Sequence, residues 1–233
     1  MNYKNLVFLG TSHIAKQSLD EVKEAIEREK PDIVAIELDR ARLGALLGKG
    51  QRKVNLRSIR QIGIKGFIFS LFGAWAEKKL GKLAGVSPGS EMKQAVCLAR
   101  KHSMKIALID QDIQITLNRF SNAITWKEKL NFVADIAKAF FVRDKELQFD
   151  LRKVPEKKII KKLVEKLKSR YPNVHKVLIE ERNAVLANNI KKLMNAEPDK
   201  KILIIMGAGH VDDVIELIKN ESEGISYNFS VGK

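Results

Sequence analysis

Two histidines stand in matching surroundings. His13 closes Gly10-Thr11-Ser12-His13, and His210 closes Gly207-Ala208-Gly209-His210. Each follows an apolar run and precedes a helical pattern. Glycine lets the backbone bend and approach a ligand closely. The helix N-terminus that follows favours anions, and imidazole is both a common metal ligand and a general base. A lone histidine after a strand is ordinarily structural. Two in equivalent turns, out of four in the chain, point to function. His102 and His175 sit near helix ends beside lysines and read as surface residues.

Acidic residues join the two turns. Glu37 ends the apolar run Ile33-Val34-Ala35-Ile36. A carboxylate there must face a cleft, pair with a cation or bind a metal, because burying it unpaired is costly. The nearest cations along the chain are Arg40 and Arg42. Glu91 follows Ser90 at a helix start, where a favourable charge on the helix dipole, worth about 0.3–1 kcal/mol, is a sufficient reason for it. Asp110 and Asp112 follow a third apolar run, with Arg119 further along. Arg182, in Glu180-Glu181-Arg182-Asn183, is an ion-pair candidate on a helix. The chain has no phosphate-binding GxxxxGK, no GxGxxG fingerprint, no HExxH and no GxSxG.

The elements that must position these residues alternate. Asn5–Gly10 reads as a buried strand, Gln17–Lys30 as a helix ended by Pro31, and Ile33–Leu38 as a second strand. This order predicts a parallel pair with a right-handed crossover. In an open parallel sheet, ligands gather beyond the carboxyl ends of the strands. His13 and Glu37 therefore belong to one edge. The glycine-rich but apolar Asn55–Leu83 predicts two helical pieces. A helix capped by Ser90 is expected to run to His102, followed by a strand over Lys105–Asp110. Helices are expected over Trp126–Arg143, Pro155–Arg170 and Val174–Leu193, then a strand over Lys201–Met206 and a helix over Val211–Lys219. Ile225–Phe229 reads as a short last strand. The fold class is thus α/β: a central, mostly parallel sheet of about four to five strands within one domain spanning 1–233, with helical insertions at about 55–85 and 120–195.

Composition bounds the partners. The chain has 233 residues, 45% of them hydrophobic and 6% aromatic, and a formal net charge of +15. Lysine and glutamate are interspersed at helical spacing, as in Glu156–Lys168, and no nucleic-acid motif accompanies them. The charge therefore reads as a solvated surface in preference to a nucleic-acid face, with weak attraction to an anionic membrane left open. Cys97 cannot form an internal disulfide, being the one cysteine, and reads as a buried thiol between Val96 and Leu98. No secretory leader is legible at Met1, and the run Gly66–Ala76 is shorter than the roughly 20 residues that span a bilayer. A cytoplasmic protein is expected, membrane-associated if the native chain is longer. The apolar Phe67–Trp75 stretch reads as a core or homodimer helix rather than a membrane-surface contact.

Six segments in order resemble the TraB family, in the wider group with PrgY pheromone-shutdown proteins, GumN and the Tiki proteases. They are Gly10-Thr11-Ser12-His13 with Ser18; Ile36-Glu37-Leu38-Asp39 with Arg42; Gly89-Ser90-Glu91-Met92; Leu108-Ile109-Asp110-Gln111-Asp112-Ile113 with Thr116, Leu117 and Arg119; Glu180-Glu181-Arg182-Asn183; and Gly207-Ala208-Gly209-His210-Val211. Three places depart from the family pattern. Gln111 stands where arginine is usual, Glu180 and Asn183 stand where aspartates flank the helical motif, and Asp212-Asp213 replace a common Pro-Gly.

The resemblance implies a fold like that of the erythromycin-esterase and ChaN group, and a hydrolytic, peptidase-like activity. Carried over by position, it implies a divalent ion such as Mn, Co or Zn held by His13, His210 and Glu37. It implies Glu91 or Glu37 as general base, without settling which glutamate is ligand and which is base. Arg182 or Arg119 would stabilise an oxyanion. The alternative is a module that binds a peptide pheromone or haem without turnover.

Overall fold

The computed structural model describes residues 1–11, 16–48, 89–141 and 157–220. In chain order the elements are β1 (Asn2–Tyr3), β2 (Leu6–Thr11), α1 (Lys16–Glu29), β3 (Ile33–Ile36), α2 (Arg40–Leu46), α3 (Ser90–Lys101) and β4 (Lys105–Leu108). They continue with α4 (Ile113–Ala123), α5 (Trp126–Phe141), α6 (Lys157–Arg170) and α7 (Pro172–His175). A π-helical turn (Lys176–Glu180), α8 (Glu181–Ala196), β5 (Ile202–Gly207) and α9 (Val211–Lys219) complete the order. The expected segments Asn55–Leu83 and Ile225–Phe229 lie outside the described residues, as do Ser12 and His13.

Among the described residues the sheet has five strands in the order β1-β2-β5-β3-β4, of which only the β1–β2 pair is antiparallel. The first strand–helix–strand unit does not pair with itself, contrary to the sequence expectation. β5 lies between β2 and β3, matching Gly10 to Met206 on one side and Ile36 to Ile205 on the other. The fifth strand comes from Asn2–Tyr3. This insertion puts the β2 end, Gly10 and Thr11, beside Met206 and Gly207 of β5, with the Glu37 end of β3 on the other side of β5.

Alternation along the strands sends side chains to two faces. Phe8, Ile33, Ala35, Ile202, Ile204 and Met206 pack against α8 and α9 through Leu186, Ile190, Val214 and Ile218. Val7, Val34, Ile36, Leu203 and Ile205 pack against α1 and α3 through Val22, Ile26, Met92 and Val96. All six residues of β5 are buried, which explains its unbroken apolar run. Each such large side chain removed from water contributes about 1.5–3 kcal/mol. Cys97 is exposed, not buried. Neighbours on a helix point about 100° apart, so the inward Val96 turns its successor outward.

Gly10 lies tight against the Gly207 turn. A Cβ there would lie 3.1 Å from the Ala208 Cα and 3.1 Å from the Val211 side chain. Backbone cannot yield as a flexible side chain can. Gly10→Ala is expected to cost about 1–3 kcal/mol, read as a lower urea midpoint at unchanged slope. An unchanged midpoint would show that the turns tolerate separation.

Candidate functional site

The site forms where β2, β5 and β3 end. The Ala208 N–H donates to the Thr11 carbonyl at 2.9 Å, continuing the β2–β5 pairing into the loop. The Thr11 hydroxyl donates to the Met206 carbonyl at 3.3 Å. Beyond Ile36, the Glu37 N–H donates to the Ile205 carbonyl at 3.1 Å, so Glu37 is held as an extension of β3 beside β5.

Glu37 is 2% exposed, and both of its oxygens are engaged. Oε2 accepts from the Gly207 N–H at 2.7 Å. Oε1 pairs with Arg182 and lies 3.8 Å from His210 Nε2. The cation is therefore Arg182, 145 positions away, rather than Arg40 or Arg42. Arg42 instead bonds Asp39 at 2.6 Å and Asp110 at 2.5 Å. Arg182 also reaches Asp110, at 2.6 Å. Among the described residues, two guanidiniums thus join three carboxylates, Glu37, Asp39 and Asp110. Burial alone would push the Asp110 carboxyl up. The Arg182 and Arg42 guanidiniums outweigh it and hold the group below the ordinary carboxylate range.

His210 ends the Gly207 turn, and its side chain is buried. Nδ1 lies 2.6 Å from Asn183 Oδ1. The Asn183 amide nitrogen donates to Asp213 at 3.0 Å. Asn183 and Arg182 are adjacent on α8, which the π-helical turn feeds after Pro172. π-Turns inside helices are frequent at functional sites; this one adjoins the residues that hold Glu37 and His210.

The remaining expected residues fall nearby or take structural roles. Glu91 is buried in the first turn of α3. That helix runs back toward β4, so its start lies at the carboxyl edge. Its cap is Gly89, at φ 79°, not Ser90, which opens the helix. Ser18 is buried in α1. Asp112 is the exposed N-cap of α4, accepting from the Gln114 N–H at 2.8 Å. Arg119 is bound through two contacts to Glu181, at 2.9 and 2.7 Å. Of the two arginines considered, Arg182 is the one beside Glu37. His175 is buried, not on the surface, and its Nδ1 lies 3.2 Å from Glu180. Sequence reasoning placed Asp39 in a motif but gave it no role; it is the N-cap of α2, its side chain accepting from the Arg42 N–H at 2.9 Å. It missed Asn183 and Asp213 as partners of His210, for which no local pattern exists.

A mostly parallel α/β sheet, with the ends of β2, β5 and β3 meeting at its carboxyl edge, defines the class of protein. The chain belongs to the TraB/PrgY/gumN family, whose model matches residues 2–222. It is 34% identical over 230 residues to protein MJ1365 of Methanocaldococcus jannaschii, described as uncharacterized. That match covers 96% of this chain and 56% of the relative, so the chain spans about half of the relative's length. Among solved structures it is similar to an erythromycin esterase mutant in its open conformation, at 14% identity and a TM-score of 0.33, covering 88% of this chain and 60% of that one. Among the described residues, no helix is long and apolar enough to cross a membrane.

Proposed function

We propose that this chain is a metal-dependent hydrolase acting on peptides, with its working centre between His210 and Glu37. The observation that carries the reading is the 3.8 Å approach of His210 Nε2 to Glu37 Oε1 at the carboxyl edge of the sheet. An imidazole nitrogen and a carboxylate oxygen suit a borderline divalent ion such as Mn, Co or Zn. The described residues contain no group of three such ligands. They fit as two of a set, and the reading assigns the third place to His13 in the twin turn, outside the described residues. When bound, such an ion lowers the pKa of its water toward about 7 and polarises a carbonyl.

The chain's own residues do the rest. Arg182 and the Gly207 N–H hold Glu37 in place, one on each carboxylate oxygen. Glu91, buried in the first turn of α3, is the second carboxylate and the one this reading assigns as general base. Arg182 is the cation that balances negative charge developing on an attacked carbonyl.

Stoichiometric binding of Mn²⁺, Co²⁺ or Zn²⁺ by the purified protein, lost in His13→Ala/His210→Ala, is the expected result by calorimetry. A folded wild type that binds none of these ions overturns the reading. The second reading, a module that binds peptide or haem without turnover, is favoured by the engagement of both Glu37 oxygens. Ligand affinity with no cleavage of a peptide library would select it.

A further inference from the structure

We infer that Asn183, pinned by Asp213, is a positioning residue that fixes His210 in the Nδ1–H tautomer and so presents the Nε2 lone pair toward Glu37. The contact itself, Nδ1 to Asn183 Oδ1 at 2.6 Å, does not say which atom carries the proton. Asp213 supplies the missing constraint. A carboxylate only accepts hydrogen bonds, so the Asn183 atom facing it at 3.0 Å must be the amide nitrogen. The carbonyl oxygen then faces His210, and a carbonyl also only accepts. Nδ1 must therefore donate. In a neutral ring the other nitrogen is left with a lone pair, and that nitrogen is the one 3.8 Å from Glu37 Oε1.

Burial makes the choice strict. Asn183 is 2% and His210 is 8% exposed, so water cannot readily replace a mismatched partner. Turning the amide over would set its N–H₂ against Nδ1 and two oxygens against each other at Asp213. Asp213 itself is on the exposed side of the first turn of α9. The device thus runs from solvent inward through one amide to the ring. It rests on the hydrolase reading for the use of Nε2, but the tautomer can be read without metal or turnover.

The test is nitrogen-15 NMR of the imidazole rings in the metal-free full chain, at a pH of about 8.5, two units above the ordinary imidazole range. The chain has four histidines, so the signal lost in His210→Ala assigns this one. The expected wild-type spectrum shows His210 protonated at Nδ1 alone. Asp213→Ala, a change at an exposed position, frees the amide to turn and is expected to bring up the Nε2–H form. Asn183→Asp combined with Asp213→Ala restores the pure Nδ1–H signature, because a carboxylate cannot offer a donor. A wild-type ring protonated at Nε2, or a pure Nδ1–H signature that survives Asp213→Ala, overturns the inference. Under the hydrolase reading, Asp213→Ala also weakens divalent binding about 10–100-fold. If the tautomer changes while no ion binds either protein, the hydrolase reading fails and the positioning stands.

Discussion

Arg182→Met is expected to lower the unfolding free energy by about 3–5 kcal/mol, the cost of leaving a buried ion partner uncompensated. The Arg182 side chain is 18% exposed, and the side chains it bridges, Glu37 and Asp110, are 2% and 1% exposed. Methionine replaces the volume but none of the donors. Arg42 still faces Asp110, so Glu37 bears most of the loss. A typical domain holds about 5–15 kcal/mol in total, so the variant stands near the limit of folding. Arg119→Met is the control. Its pair with Glu181 leaves the arginine 44% exposed, and such surface pairs contribute about 0–1 kcal/mol. The pH dependence carries a second signature. The Asp110 carboxyl lies below its ordinary value in the folded protein. Its contribution is present above the unfolded value of about 4 and is lost as pH falls through the folded value. Removing Arg182 raises the folded value, so the variant gains less stability than the wild type as pH rises through the acid range. Urea titrations of both proteins between about pH 2 and pH 7 measure both effects. A loss under about 1 kcal/mol would mean that the carboxylates are solvated in solution.

The parts of this architecture set by local chemistry were legible in the sequence. A six-residue apolar run rich in isoleucine and ended by glycine reads as a strand buried on both faces, and Ile202–Gly207 is one. The ends of β2 and β5 and Glu37 could be assigned to one edge because parallel strands all end on the same side. Partner choice was not legible. Nothing in Gly10 or Ile36 says that β5 lies between them, since central and edge positions share the same apolar pattern. The nearest arginines to Glu37 by sequence, Arg40 and Arg42, belong to a helix that Asp39 caps, and the capping geometry draws Arg42 to Asp39 and Asp110 instead. His175 looked exposed because lysine follows it. The short α7 and its π-helical turn rotate it inward beside Val174 and Val177. Asn183 and Asp213 meet only because α8 and α9 pack on the same face of the sheet.

Glu37→Gln is expected to separate the carboxylate's structural role from its chemical one. The amide keeps the shape and, through its carbonyl oxygen, one acceptor for the Gly207 N–H or for Arg182. It removes one charge-assisted bond, worth about 1.5–3 kcal/mol. Arg182 retains Asp110, so the loss falls below that of Arg182→Met, and the variant should fold. Its chemistry should not survive. Glutamine has no formal charge to hold a divalent ion beside His210 Nε2, and it cannot serve as a base. Under the proposed hydrolase reading, divalent affinity and peptide turnover are therefore expected to fall by two orders of magnitude or more, on the scale of losing one charge-stabilising group from an active centre. Glu37→Asp tests reach rather than charge. It keeps the carboxylate but retracts it by one methylene, away from both Gly207 and His210, so affinity should return only in part. If Glu37→Gln binds metal and cleaves peptide like the wild type, Glu37 is a structural anchor for the β5 turn alone, and the working carboxylate at this edge is Glu91.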